Sequence, residues 1–266
     1  MLSFADKLPG PYGFERSIKF IGSQIFRDRF LLSFPKVALS MGADFDCLLS
    51  ELSFPAPASQ GLQALLAEGD ILHLGFEGET SAYVCKLYVE NAQRIRQLWD
   101  SPLSSAGNTD TINVHRALKW WPCHSPEVSL VEAHYDWLPC ADQQALLAGI
   151  SDLCPREAKR ALVDLLLLAA QKVPARDLQL LQVSEPGSVR KSFDLNLYDA
   201  CLALADVQSI LTEMLVACGA EPESVNKTLS PLAHETLGHI AGGVTRNGQS
   251  FLSIYFGGAE RGSFNG

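Results

Sequence analysis

The sequence predicts an α+β fold: a closed antiparallel β-barrel of about ten strands, built from repeated hairpin-helix units, with helices outside. A strand, a turn, a second strand and then a helical segment recur along the chain. The strands of each hairpin are antiparallel by construction, which rules out a purely parallel sheet. Closing the sheet removes the exposed edges that an open one presents. An open sheet with helices on one side is the alternative.

Three hairpin-helix units are clear. Their strand pairs are 70–76 with 83–90, 178–183 with 191–198, and 239–244 with 250–255. The first is followed by a helical segment with Asn91 as its N-cap, and the second by a helix over 200–217 that ends at Gly219. Asn247 and Gly248 join the third pair, a strong hairpin signal because both residues tolerate positive φ.

Two weaker units complete the expected barrel. Their strand pairs are 114–121 with 128–135, around a turn at Cys123, and 30–34 with 37–41. Further helical patterns cover 14–26, 60–67, 141–153 and 155–172. The stretches 101–110 and 222–231 are predicted to be linkers, and no domain boundary is visible, so we expect one barrel domain over 1–266.

Composition narrows the class of protein. The chain has 266 residues, of which 47% are hydrophobic and 19% charged, which favours a compact fold over a disordered one. Its net charge of −9 disfavours nucleic acid and anionic membrane surfaces as partners. The apolar run 161–170 is short and interrupted by Asp164, so no membrane segment is expected. Seven scattered cysteines without a C-x-x-C pair are typical of buried thiols in a reducing, cytoplasmic protein.

Alternation along the return strands predicts a polar lumen. Lys86, Tyr88 and Glu90 share one face. Asp194, Asn196 and Tyr198 share the corresponding face of another strand, as do Gln249, Phe251, Ser253 and Tyr255 of a third. The opposite faces carry apolar residues and are expected to lie against the helices.

These repeated strands resemble those of the ABBA-type prenyltransferases, which act on aromatic, indole or peptide acceptors. In that family Lys-x-Tyr recurs on successive barrel strands. The resemblance covers roughly residues 30–257. Lys86-Leu-Tyr88 matches in full, while Ala133-His-Tyr135, Asn196-Leu-Tyr198 and Ser253-Ile-Tyr255 match in the tyrosine only.

The resemblance implies a prenyl transferase that moves a prenyl group from an allylic diphosphate to an aromatic small molecule or a peptide side chain. Basic residues would hold the diphosphate and tyrosines would shield the carbocation. The predicted substrate-binding residues are Lys86, Tyr88, Tyr135, Arg190, Asn196, Tyr198, Arg246 and Tyr255. The sequence assigns no cofactor, and Mg²⁺ bound with the prenyl diphosphate remains an open alternative.

Two roles remain unassigned. Glu77, Glu90 and Asp194 are carboxylates that could serve as the base, but none aligns with the family's glutamate in its first repeat, so no catalytic residue is assigned. His234 and His239 are five residues apart and do not share a helix face, so no metal ligand is assigned either.

A non-catalytic barrel that binds a hydrophobic ligand or a peptide, for instance as an accessory in peptide modification, is the alternative function. This alternative is motivated by three tyrosines that have no basic residue two positions before them. Ala133, Asn196 and Ser253 stand at these positions. Three or more Lys or Arg side chains converging inside the barrel would favour transfer chemistry. An apolar or plugged lumen would favour the alternative.

Overall fold

The computed structural model describes residues 1–40, 44–55, 59–78, 83–99, 111–122, 130–140 and 142–261. The strands in these ranges are β1 (Tyr12–Ile21), β2 (Gln24–Phe26), β3 (Arg29–Pro35), β4 (Ile71–Gly78), β5 (Tyr83–Glu90), β6 (Ile112–Trp120), β7 (Leu130–Leu138), β8 (Leu180–Ser184), β9 (Lys191–Asn196), β10 (Leu237–Val244) and β11 (Ser250–Arg261).

The strands form a closed antiparallel barrel, as predicted. Their order is β11-β10-β9-β8-β7-β6-β5-β4-β3-β1-β2, and β11 also pairs with β1. Residues 13–16 of β1 pair with β3, and residues 19–21 of β1 pair with the short β2. Strands β2 and β3 therefore follow one another along β1 and together occupy one position in the wall. The described part of the chain therefore contributes ten barrel positions, and the barrel leaves no edge along its wall.

Helices surround the barrel. Those in the described residues are α1 (Leu2–Ala5), α2 (Val37–Ser40), α3 (Phe45–Glu51), α4 (Ser59–Ala67), α5 (Ala92–Trp99), α6 (Gln143–Ser151), α7 (Lys159–Ala169), α8 (Leu204–Ala217) and α9 (Pro222–Leu229). Asn91 caps α5 as predicted, since its side-chain oxygen accepts a hydrogen bond from the backbone N–H of Arg94 at 2.9 Å. Among the described residues, no helix is long and apolar enough to cross a membrane.

The hydrophobic core lies between the barrel wall and the helices. Apolar residues on the outer face of β8–β11 and β1 pack with α6–α9, for example Phe193 and Ile240 with Leu211. The outer face of β3–β6 packs with α1, α3 and α4, for example Leu72 and Leu87. Because these side chains take the outer face of each strand, the alternate side chains point into the lumen.

The amino-terminal hairpin differs from the prediction. Residues 14–26, expected to be helical, form β1 and β2, and 37–40 are helical where a strand was expected. Phe14, Ile18 and Ile21 recur at a spacing that also suits a helix, but pairing of β1 with β11 and β3 determines the strand. The fifth hairpin is consequently β1 with β3.

Smaller corrections concern other segments. The stretch 222–231, expected to be a linker, contains α9, which starts with Pro222 at a favourable first-turn position. Tyr198 lies just after β9, in a 3₁₀ turn. Cys47 and Cys201 are exposed rather than buried. The linker predicted at 101–110 and the turn at Cys123 lie outside the described residues.

Candidate functional site

The lumen contains two chemically different layers: a cavity of about 230 Å³ lies at the layer of carboxylates and imidazoles and is lined by tyrosines, and a separate cavity of about 40 Å³ lies at the basic layer. One layer is basic and lies where β1, β4 and β6 end and β3 and β5 begin. The other, rich in carboxylates and imidazoles, lies towards the opposite ends of the same strands. Partly buried tyrosines lie between them. Gly75 leaves space inside the wall, because a β-carbon there would lie 3.2 Å from Cβ of Lys86.

Four basic side chains form the basic layer, which we call the cationic layer: Lys19, Arg29, Lys86 and Lys119. Lys86 and Lys119 are directly paired in register on β5 and β6. Arg29 and Lys86 both donate to Oε1 of Glu77, Arg29 at 2.6 Å. Sharing one carboxylate oxygen brings these two cations together on the same side of the lumen.

Burial of this layer changes its protonation. Desolvation, together with the neighbouring cations, lowers the pKa of Lys19 and of Lys119 to about 8. Burial alone would lower the pKa of Arg29 and raise the pKa of Glu77. The attraction between their opposite charges outweighs burial, so the pKa of Arg29 is raised and the pKa of Glu77 lies well below its usual range. The layer is thus a set of desolvated cations with one ionised carboxylate.

Glu185 lies at the rim of this layer and draws three basic residues together. Its carboxylate accepts from Lys119 at 3.2 Å, from Arg190 at 2.9 Å and from Arg246 at 3.0 Å. Arg190 and Arg246, both predicted to bind substrate, therefore lie at the rim beside Lys119, and the side chain of Arg246 remains 59% exposed.

Three partly buried tyrosines lie between the layers: Tyr88, Tyr135 and Tyr255. The rings of Tyr88 and Tyr135 meet edge to face with centroids 5.6 Å apart. The Arg29 guanidinium lies 5.7 Å from the centroid of Tyr255. Burial raises the pKa of all three hydroxyls, so they remain neutral. This tyrosine belt presents electron-rich faces with no anionic oxygen.

The opposite layer contains an imidazole held between two carboxylates. His239 contacts Asp194 Oδ1 through Nδ1 at 2.7 Å and Glu15 Oε2 through Nε2 at 3.1 Å. Burial disfavours its charge, but the two carboxylates prevail and raise the pKa of His239 to about 10. Its ring stacks on Tyr255 with centroids 3.7 Å apart, and the hydroxyl of Tyr198 donates to Glu15.

A second imidazole cluster lies on β4, β5 and β6. Oε2 of Glu90 lies 2.8 Å from Nε2 of His73 and 3.6 Å from Nδ1 of His115. Burial raises the pKa of Glu90, but the two imidazoles outweigh it and lower the value to about 2. Desolvation lowers the pKa of His115 to about 4, so its imidazole is neutral near pH 7.

The structure brings most of the predicted residues into the lumen. Those that line the cavity are Tyr88, Tyr135, Asn196, Tyr198 and Tyr255. Lys86 lies in the cationic layer and Arg190 and Arg246 at its rim. Their roles in binding remain predictions.

Sequence reasoning missed most of the cationic layer and the carboxylate Glu15. The Lys-x-Tyr motif points to the residue two positions before each tyrosine. Before Tyr255 that residue is Ser253. Instead Arg29 of β3 reaches past β1 and donates to Oγ of Ser253 on β11 at 3.1 Å. The available signal was alternation on the other strands, since Lys119 shares a face with His115 and Ala117.

Comparisons with known proteins identify the fold. No family model and no curated protein matches the sequence. Among solved structures, PriB in a binary complex with product diphosphate aligns with a TM-score of 0.61 at 11% identity, covering 92% of this chain and 79% of PriB. The 6-dimethylallyltryptophan synthase of Micromonospora olivasterospora, in complex with DMASPP and Trp, aligns with a TM-score of 0.59 at 12% identity, covering 92% and 81%. The chain has the barrel fold of the ABBA-type prenyltransferases, as the resemblance implied.

Proposed function

We propose that the protein transfers a prenyl group from an allylic diphosphate to an aromatic small molecule inside the barrel. The observation that carries this proposal is the convergence of one buried and three partly buried basic side chains next to three partly buried tyrosines. This convergence meets the criterion that favours transfer chemistry over the binding of a hydrophobic ligand. A purely apolar ligand would leave the excess positive charge of this layer without a counter-ion, because Glu77 and Glu185 neutralise only part of it.

The cationic layer supplies the donor site. Together with Arg190 and Arg246 at the rim, Lys19, Arg29, Lys86 and Lys119 contribute six positive charges against the two negative charges of Glu77 and Glu185, leaving a formal +4 to receive a diphosphate. Arginine and lysine suit this task because their N–H donors form charge-assisted hydrogen bonds to phosphate oxygens. The same charges stabilise the diphosphate as it departs with the electron pair of the broken carbon–oxygen bond.

The tyrosine belt stabilises the allylic cation. Each ring face contributes about 0.5 to 2 kcal/mol of cation–π attraction, and more when water is excluded. Because burial keeps the hydroxyls protonated, the rings shield the carbocation without offering it a phenolate as a competing nucleophile. The cation is then consumed when a carbon of the aromatic acceptor donates its electron pair.

The acceptor lies at the carboxylate end of the cavity, and its proton passes to a carboxylate. Glu15 and Asp194 both line the cavity, on either side of His239. We assign proton acceptance to this group through Glu15, whose two oxygens are oriented by Tyr198 and His239. A cavity of about 230 Å³ favours a single aromatic ring system, such as the tryptophan bound to one structural neighbour, over a peptide acceptor.

The residues of the donor site do not fit a magnesium ion. In the described part of the layer both carboxylates are already taken, Glu77 by Arg29 and Lys86, and Glu185 by three basic residues. Mg²⁺ prefers oxygen ligands and is usually held by one or two carboxylates. We therefore propose that the diphosphate charge is neutralised by basic side chains, and that transfer does not require added Mg²⁺.

The proposal is tested by incubating the protein with dimethylallyl or geranyl diphosphate and a panel of indoles, phenols and peptides, and following prenylated products by mass spectrometry. Lys86→Met should weaken donor binding, whereas Lys172→Met, a matched change of an exposed lysine, should not. Failure of every prenyl diphosphate to bind at millimolar concentration would overturn the proposal. Donor binding without transfer to any acceptor would favour the non-catalytic alternative.

A further inference from the structure

The cluster of His73, Glu90 and His115 has no part in the prenyl transfer outlined above, yet it is assembled like a metal site. One ligand atom from each residue lies within 4.8 Å of the other two. For a tetrahedral ion with bonds of about 2.1 Å, neighbouring ligand atoms lie about 3.4 Å apart. The Glu90 oxygen lies 2.8 Å from His73 Nε2 and 3.6 Å from His115 Nδ1, which brackets that value.

The donors are held on adjacent, rigid strands. Glu90 and His115 are directly paired on β5 and β6, and His73 pairs with Tyr88 two positions from Glu90. The His73 ring meets Tyr88 edge to face, and the His115 ring meets Tyr135 in the same way. Ring orientation is therefore set by packing, so the donor atoms would need only small movements to meet at one ion.

His73 also has the outer partner typical of a ligating histidine. Its Nδ1 lies 2.7 Å from Oγ of Ser33. A serine hydroxyl both donates and accepts, so it can partner either tautomer of His73, including the one that presents a bare Nε2 to a metal ion. Partners of this kind fix the tautomer and the ring orientation of metal-bound imidazoles.

We propose that His73, Glu90 and His115 bind one divalent ion of the zinc class in the lumen. Two imidazoles with one carboxylate suit Zn²⁺ and similar transition-metal ions, whereas Mg²⁺ prefers oxygen ligands alone. All three residues line the cavity, so the remaining coordination positions face the space where an acceptor would lie. The ion would bind an oxygen or nitrogen of that acceptor and orient it towards the tyrosine belt.

The test is metal binding by the full chain without any prenyl donor, so its outcome is independent of the proposed transfer. After treatment with a chelator and dialysis, the protein is titrated with Zn²⁺ by calorimetry and with Co²⁺ by absorption spectroscopy. We expect one equivalent to bind, with a Co²⁺ ligand-field spectrum characteristic of nitrogen and oxygen donors. Binding of less than about 0.2 equivalents, or a cobalt–thiolate charge-transfer band from the cysteines, would overturn the proposal.

Variants identify the ligands. His73→Gln and His115→Gln should each weaken Zn²⁺ binding by about 100-fold or more, and Ser33→Ala by about 10-fold, within the range seen for outer partners. His134→Gln is the matched control, because His134 pairs with Glu132 at 2.9 Å but lies 37% exposed, with no second imidazole in that pair. Undiminished affinity in the His73→Gln/His115→Gln double variant would place the ion elsewhere. Should either histidine variant fail to fold, the wild-type cobalt spectrum and Ser33→Ala still decide the question.

Discussion

Replacing Lys119 with glutamine should weaken donor binding by about 100-fold. The fold already holds this ammonium in a desolvated position, where burial lowers its pKa from 10.5 to about 8. At about 1.4 kcal/mol per pKa unit, that charge is held at a cost of about 3 kcal/mol, which a bound diphosphate relieves. An independent estimate, two unit charges about 4 Å apart at an effective dielectric constant near 20, gives about 4 kcal/mol. Loss of about 3 kcal/mol corresponds to roughly two powers of ten in Kd.

The assay is calorimetric titration of dimethylallyl diphosphate into wild type and variant at pH 7. Glu185 keeps Arg190 and Arg246 after the substitution, so the rim should retain its structure. Lys191→Gln is the control, because Lys191 is exposed and bonds only to Gln182 Oε1 within the described structure, at 3.2 Å. A folded Lys119→Gln protein whose Kd lies within threefold of wild type would refute the assignment of this layer to the donor.

The remaining predictions concern pH, proton transfer, ring shielding and packing. Burial lowers the pKa of Lys19 and of Lys119 to about 8, so the free protein loses these two protons as the pH rises through 8. Calorimetric titrations of a prenyl diphosphate should therefore show an affinity that is nearly constant below pH 7 and falls above pH 8. Glu15→Gln should lower kcat by 100-fold or more in product assays while leaving donor Kd within a few fold, since Glu15 lies in the opposite layer. Tyr88→Phe should keep most activity and Tyr88→Leu should lose about 10-fold or more, because the ring face is what stabilises the cation; equal losses would contradict this. Gly242→Val should lower the free energy of unfolding in urea by about 2 kcal/mol or more, since a β-carbon there would lie 2.6 Å from a leucine methyl behind the wall.

The fold could be predicted from the sequence where local signals agree. In the third hairpin the Asn247-Gly248 turn, with Gly248 at φ +79°, and the alternation after it indicate the same structure. At β1 the local signals conflict, because its apolar residues also fit a helical period. Pairing with β3 and with β11, the latter about 240 residues away in sequence, determines that segment, and such long-range pairing is not visible in a single sequence.

The site could be predicted only in part, for a similar reason. Lys86 and Tyr88 stand in one short motif and could be found together. The other members of the cationic layer come from strands β1, β3 and β6, and each strand contributes one of them, so none of these strands looks unusual alone. The register between Lys86 and Lys119, and the reach of Arg29 to Ser253, are properties of the closed barrel.

If the proposed function holds, the arrangement of charge inside the barrel sets the orientation of the donor, whatever the net charge of the chain. The chain carries 30 acidic and 21 basic residues, yet basic side chains predominate at one end of the lumen and carboxylates at the other. A prenyl diphosphate bound in reverse would place its anion against Glu15, Glu90 and Asp194, and would leave the cationic layer beside the apolar chain. Both contacts cost several kcal/mol at the effective dielectric constant of a buried site, on the order of 4 kcal/mol for each close pair of charges. Under the proposed function we therefore expect the donor to bind with its diphosphate in the cationic layer and its reactive carbon at the tyrosine belt, facing the acceptor.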